Sequence, residues 1–164
     1  MTYHYVQTIT VGFVKPAPGS DAQQRKVKEV VKQWEKVANL KFLFVPTGPQ
    51  ADNANIRVSF QKNAGSWSYV GKAALTIKKP APTLNLGWVY STPETGDEER
   101  GVILHEFGHA IGYLHEHQSP RRGEKLTLNE RGVFPLVSKI MARTHVESFS
   151  HHRLLCSYSK PPME

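Results

Sequence analysis

A single cysteine, Cys156, stands in the 164 residues. No disulfide can therefore close within the chain, and an oxidising compartment is not required. No apolar run approaches the roughly 20 residues of a membrane-spanning helix, so no membrane partner is expected. Residues 1–5 carry no basic stretch leading into an apolar core; no signal peptide is expected there, and no compartment is assigned. The formal net charge is +7, yet no aromatic-rich basic platform accompanies it. Residues 1–119 hold 13 Lys+Arg against 10 Asp+Glu, and residues 120–164 hold 8 against 4. The excess gathers in the last quarter and reads as solvated surface, so no nucleic-acid partner is expected. The competing reading, a basic tail that attracts nucleic acid, would show as salt-sensitive binding independent of any metal. No internal repeat is present.

What remains is ordinary globular material. Hydrophobic residues make up 39% and charged residues 21%, which suits one domain with a proper core. Residues 5–14 are β-branched and aromatic, with Ile9, Val11 and Phe13 on one face, and read as a strand. Ser20 and Gln23 form a capping-box pattern. Val27, Val30, Val31, Trp34, Val37 and Ala38 then recur at helical spacing, with lysines filling the other side. Trp34 reads as core. Residues 40–45 are nearly all apolar, which predicts a strand covered on both faces. Residues 46–54 read as a polar loop. Residues 55–60 alternate, with Ile56, Val58 and Phe60 inward. Residues 65–77 are broken by glycines, although Trp67, Tyr69 and Val70 have strand character; a surface loop is the alternative. Leu84 to Val89 is the last predicted strand. Thr95 and Glu98 form a second capping-box pattern, with Asp97, Glu98 and Glu99 suited to a helix start. Strand, helix, strand, strand points to an α/β (α+β) architecture with a right-handed crossover.

The helix that follows carries the chemistry. Residues 105–116 read His-Glu-Phe-Gly-His-Ala-Ile-Gly-Tyr-Leu-His-Glu. His105 and His109 are four apart and share a helix face. Two neutral imidazoles so placed can reach one Zn²⁺. Glu106 lies beside them, where a carboxylate can take a proton from water. Gly112 accepts the left-handed φ that ends a helix and reverses the chain, which can return His115 as a third ligand. Three histidines leave one coordination position open, as a catalytic site requires. The bland alternative is an amphipathic helix with partly buried histidines. Ile103, Phe107, Ala110 and Ile111 fall in one arc beside the histidines, so the helix can pack on a sheet and still hold a metal at its edge.

This extended motif resembles that of the metzincins, a group of zinc endopeptidases. Glu116, followed by His117-Gln118-Ser119-Pro120, resembles the astacin branch, as do Gly65-Ser66-Trp67-Ser68-Tyr69-Val70-Gly71 and Leu84-Asn85-Leu86-Gly87-Trp88. The resemblance covers residues 1–128. It implies a metzincin-like fold: a twisted, mostly parallel five-stranded sheet with an antiparallel edge strand, and two main helices. It implies a zinc metalloendopeptidase acting on protein or peptide substrates, with Zn²⁺ as cofactor on His105, His109 and His115, and Glu106 as the catalytic base. It also implies that Glu116 holds a mature N-terminus or the floor of the site. A monomer is expected. The methionine turn of the group has no good counterpart: Met141 is followed by Arg143 where a Tyr is expected, Tyr158 follows Cys156, and Met163 is almost terminal. The division expected is therefore a catalytic N-terminal subdomain at 1–120 and a short divergent tail at 121–164, with an incomplete C-terminal subdomain. The alternative function is a zinc-binding but impaired chain that serves as a peptide-binding module or has no activity.

Overall fold

Strand β1, Gln7–Phe13, is the second strand of a sheet ordered β2-β1-β3-β5-β4 in the computed structural model, which describes residues 6–115. The other strands are β2 at Leu40–Phe44, β3 at Ile56–Ser59, β4 at Ser66–Ser68 and β5 at Leu84–Leu86. β1 runs parallel to β2 and to β3, and β3 parallel to β5; β4 is antiparallel to β5. The described residues thus form the mostly parallel five-stranded α/β sheet with one antiparallel edge that the sequence pattern and the resemblance imply. The methionine-turn candidates, Glu116 and the division at residue 120 lie outside the described residues.

The helix after β1 starts as its capping box dictates. Gln23 N–H donates to Ser20 Oγ at 3.3 Å, and Ser20 N–H donates to Gln23 Oε1 at 2.8 Å. It is not one helix, however. It divides into α1, Asp21–Val30, and α2, Lys32–Val37. The chain tightens at Val31, whose carbonyl accepts from Trp34 N–H only three residues on. Nor do all the lysines face water: Lys26 is 1% exposed.

Two strands differ from expectation because of where they sit in the sheet. β2 is an edge strand, so only Phe42 is buried and Leu43 is 53% exposed rather than covered on both faces. β3 is central, so all four of its residues are buried, Arg57 included, despite the alternating pattern. Arg57 donates to the carbonyls of Ala54, Ala81 and Ile77, which offsets part of the cost of burying its charge. The segment 65–77 resolves into both of its readings. β4 takes three residues, and Gly71–Thr76 is a 3₁₀ helix. The predicted loop at 46–54 holds a short helix, α3, at Pro49–Asp52. The core joins Val11, Phe13, Val27, Val30, Val58, Leu84 and Leu86 to Ile103 and Phe107 of α4, the helix Asp97–Ala110.

Candidate metal centre

Two contacts seat α4 on the sheet. Ile103 and Phe107 are fully buried, and the Phe107 ring meets Phe42 edge to face at 5.4 Å. Truncating a buried Phe to Ala costs about 3–5 kcal/mol, so this face holds the helix firmly. The N-terminus is closed by Glu99, not by the predicted Thr95–Glu98 pair. The N-cap is Gly96, one residue later. Glu99 accepts from Gly96 N–H at 3.2 Å, Tyr90 N–H at 2.6 Å and Lys26 Nζ at 2.7 Å. Lys26 in turn donates to the Tyr90 carbonyl and to Thr92 Oγ1. Burial raises the Glu99 carboxyl, but the Lys26 hydrogen bond, the two backbone donors and the lysine's charge outweigh it, and the net shift is downward.

The C-terminus of α4 ends as the motif predicts. Gly112 has φ of +109°. Its N–H donates to the His109 carbonyl at 2.9 Å, and Tyr113 N–H donates to the Gly108 carbonyl at 2.9 Å. This is the paired-bond helix stop that a left-handed residue permits. The reversal has a second result. The Tyr113 carbonyl lies 2.7 Å from His109 Nδ1. A carbonyl only accepts, so Nδ1 bears the proton and Nε2 of the neutral ring is left with its lone pair.

That lone pair points where a metal would need it. His109 Nε2 and His105 Nε2 are 3.0 Å apart, with ring planes at 87°. Two nitrogens held by one tetrahedral ion at about 2.0–2.1 Å would be about 3.3 Å apart. The ligating atoms of His105, His109 and His115 all lie within 4.8 Å of one another. The donor set therefore fits Zn²⁺: three neutral-capable imidazoles, one already fixed in tautomer by a backbone carbonyl, as metal-binding histidines are. Burial, and then the neighbouring His109, lower the His105 pKa, which favours the neutral form a metal requires.

Glu106 follows His105 on the same helix. It is 2% exposed, and its Oε2 has no hydrogen-bond partner among the described residues. Burial pushes its carboxyl up to about 8. Buried polar atoms are nearly always paired, so this oxygen is unusual in being ready to bond something else.

Sequence spacing anticipates the grouping of His105, His109 and His115. It does not reveal the Tyr113 carbonyl, because a backbone atom carries no residue signature, nor the Lys26–Glu99 pair, whose members are far apart in sequence. A third omission is Asn85. Its side chain accepts from Ser59 Oγ at 2.6 Å and Gln61 N–H at 2.9 Å and donates to the Gln61 carbonyl at 3.0 Å. It thereby ties the turn before β4 to the sheet.

Comparison with known proteins agrees with this geometry. The Astacin peptidase family matches residues 7–155, past the stretch 1–128 that carries the resemblance in sequence. Blastula protease 10 of Paracentrotus lividus is 29% identical over 113 residues, covering 68% of this chain and 17% of that protein. Astacin-like metalloprotease toxin 5 of Loxosceles gaucho is 30% identical over 117 residues, covering 71% and 54%. The structure of myroilysin superposes with a TM-score of 0.66 at 36% identity, covering 80% of this chain and 59% of that one. The chain spans about half the length of the spider toxin and less than a fifth of the sea-urchin protease. With a family match over nearly its whole length, this chain belongs to the astacin family of peptidases.

Proposed function

We propose that the chain is a zinc-dependent endopeptidase that hydrolyses peptide bonds in proteins, with His105, His109 and His115 as metal ligands and Glu106 as general base. The observation that carries this reading is the set of three histidines whose ligating atoms lie within 4.8 Å of one another, on a helix whose Glu106 is buried with one oxygen unpartnered among the described residues. Zinc held there would supply the Lewis acidity that polarises the scissile carbonyl and the attacking water. Glu106 takes the proton of that water and returns it to the leaving amine. Burial raises the Glu106 carboxyl in the metal-free protein, and a zinc ion on the histidines would favour the ionised form that accepts the proton. The Tyr113 carbonyl keeps His109 in the tautomer that leaves Nε2 for the metal. β4 pairs with β5 on one side and is the last strand of the sheet. An extended peptide substrate adds to its other side as a further strand, through backbone bonds that position the chain with little regard to side chain.

The test is zinc content and casein or gelatin cleavage by purified 1–164, with and without chelator. One equivalent of zinc and chelator-sensitive cleavage are expected. His109→Ala should remove most of the bound metal, because two imidazoles do not hold a tight site. A His109→Ala protein with parental zinc content would show that the site is elsewhere. Zinc uptake without cleavage would leave the impaired, peptide-binding alternative.

A further inference from the structure

We infer that Trp34 is a positioning residue for the metal centre, acting on His109 through the turn that ends α4. This rests on the reading of His109 as a zinc ligand. Nothing in the motif points to Trp34. It lies in α2, 75 residues before His109, and by its pattern it is simply core. Yet it is only partly buried against the core, and three of its side-chain contacts fall on α4 and the turn that follows it. Its Nε1–H donates to the Leu104 carbonyl at 3.1 Å. The six-membered edge of its ring lies over Gly108, where an added Cβ would meet Cζ2 at 3.1 Å. Its ring stacks on Tyr113 at 5.2 Å and 28°. One indole thus touches the helix just before His105, the backbone just before His109, and the residue whose carbonyl holds His109 Nδ1.

The consequence is specific to the ligand. Tyr113 lies beyond the helix, and its side chain is 58% exposed. Two hydrogen bonds hold its backbone: its N–H to Gly108 and its carbonyl to His109. Among the described contacts, the Trp34 stack is what restrains its ring. Without that stack the peptide after Tyr113 can turn, its carbonyl leaves Nδ1, and the imidazole is free to rotate or to change tautomer. Outer contacts that orient a ligating histidine typically matter 10–100-fold for metal affinity. The Gly at 108 has a matching explanation, since a side chain there would press on the indole.

The experiment measures zinc affinity by chelator competition and the visible ligand-field bands of the Co²⁺-substituted protein, on the full chain. Trp34→Leu should weaken zinc about 10–100-fold and shift the Co²⁺ bands. Trp34→Phe, which keeps a ring over Gly108 and against Tyr113, should restore most of the affinity. Tyr113→Ala alters an exposed side chain and leaves the fold in place; it should weaken zinc in the same direction by a smaller factor. Phe60→Leu, in the core where Phe60 stacks on Phe13, should lower the thermal midpoint with parental affinity and bands. Trp34→Leu or Tyr113→Ala with parental affinity and bands would overturn the inference. So would Phe60→Leu losing zinc as Trp34→Leu does, which would reduce the effect to lost stability. A parent that binds zinc while both site variants match it overturns this inference alone, and a parent that takes up no zinc overturns the metal-site reading with it.

Discussion

Glu99 and Glu106 lie two turns apart on one helix, both buried, in opposite chemical states. Glu99 has a lysine and two backbone N–H groups around it, and its carboxyl is shifted down. Glu106 has an oxygen with no partner among the described residues, and its carboxyl is shifted up to about 8. The difference separates architecture from chemistry within a single element. A carboxylate with every acceptor site used can only hold things together. A carboxyl left incomplete in a low-dielectric setting carries a cost, and such groups cluster at functional sites.

The largest effect that would sharpen this contrast is on rate. Glu106→Gln keeps the size and removes the base, so hydrolysis should fall about 10²–10⁴-fold while zinc content is unchanged. Cleavage at the parental rate would exclude the proposed mechanism. At the other carboxylate the effect should fall on stability instead. Lys26→Met leaves Glu99 buried without its cation, and losing one member of a buried pair costs about 3–5 kcal/mol. Adding Glu99→Gln to that variant should recover part of the loss, because no charge then remains to be stranded. If denaturant midpoints show the double variant no more stable than Lys26→Met, the pair is not the closed network described here.

The most gradual effect is with pH, and the two residues pull in opposite directions. Glu106 is raised above its ordinary value of 4.5, so the folded metal-free protein holds a proton that the unfolded chain releases. Its stability should fall as pH rises from about 4.5 to about 8. For one proton the slope is at most about 1.4 kcal/mol per pH unit. Glu99 is lowered, so its contribution is present above its ordinary value and is lost as pH falls through the lowered one. Denaturation of chelated protein at pH 5 and pH 8, parent against Glu106→Gln, isolates the first term. The variant should gain on the parent with rising pH, and a constant gap would mean that Glu106 is not held protonated.

The same contrast explains what the sequence made legible. His105, Glu106, His109 and Gly112 could be placed from spacing alone, because a helix converts an offset of four into shared direction. The α/β alternation was legible from local periodicity, and the mostly parallel five-stranded sheet from the resemblance. What escaped was decided by partners far away in the chain. The capping carboxylate is Glu99 rather than Glu98 because Lys26 and Tyr90 meet it there. β2 reads as a covered strand until its place at the sheet edge leaves Leu43 in water, and Arg57 reads as an outward residue until the loop carbonyls around it are known. Trp34 reads as core because its contacts with Gly108 and Tyr113 leave no trace in its own helix.

The Lys26–Glu99 pair also bears on the order in which the chain matures. Its members are 73 residues apart, and contacts of such long separation form late, since the intervening loop must close first. Until α1 has docked, the first turn of α4 carries an acidic cluster without its lysine. On a chain emerging from the ribosome, every group needed to close that turn is already outside when Glu99 appears. The first turn of the helix can therefore close as soon as Glu99 is outside, before Ile103 and Phe107, which seat the helix on the sheet, have followed it out.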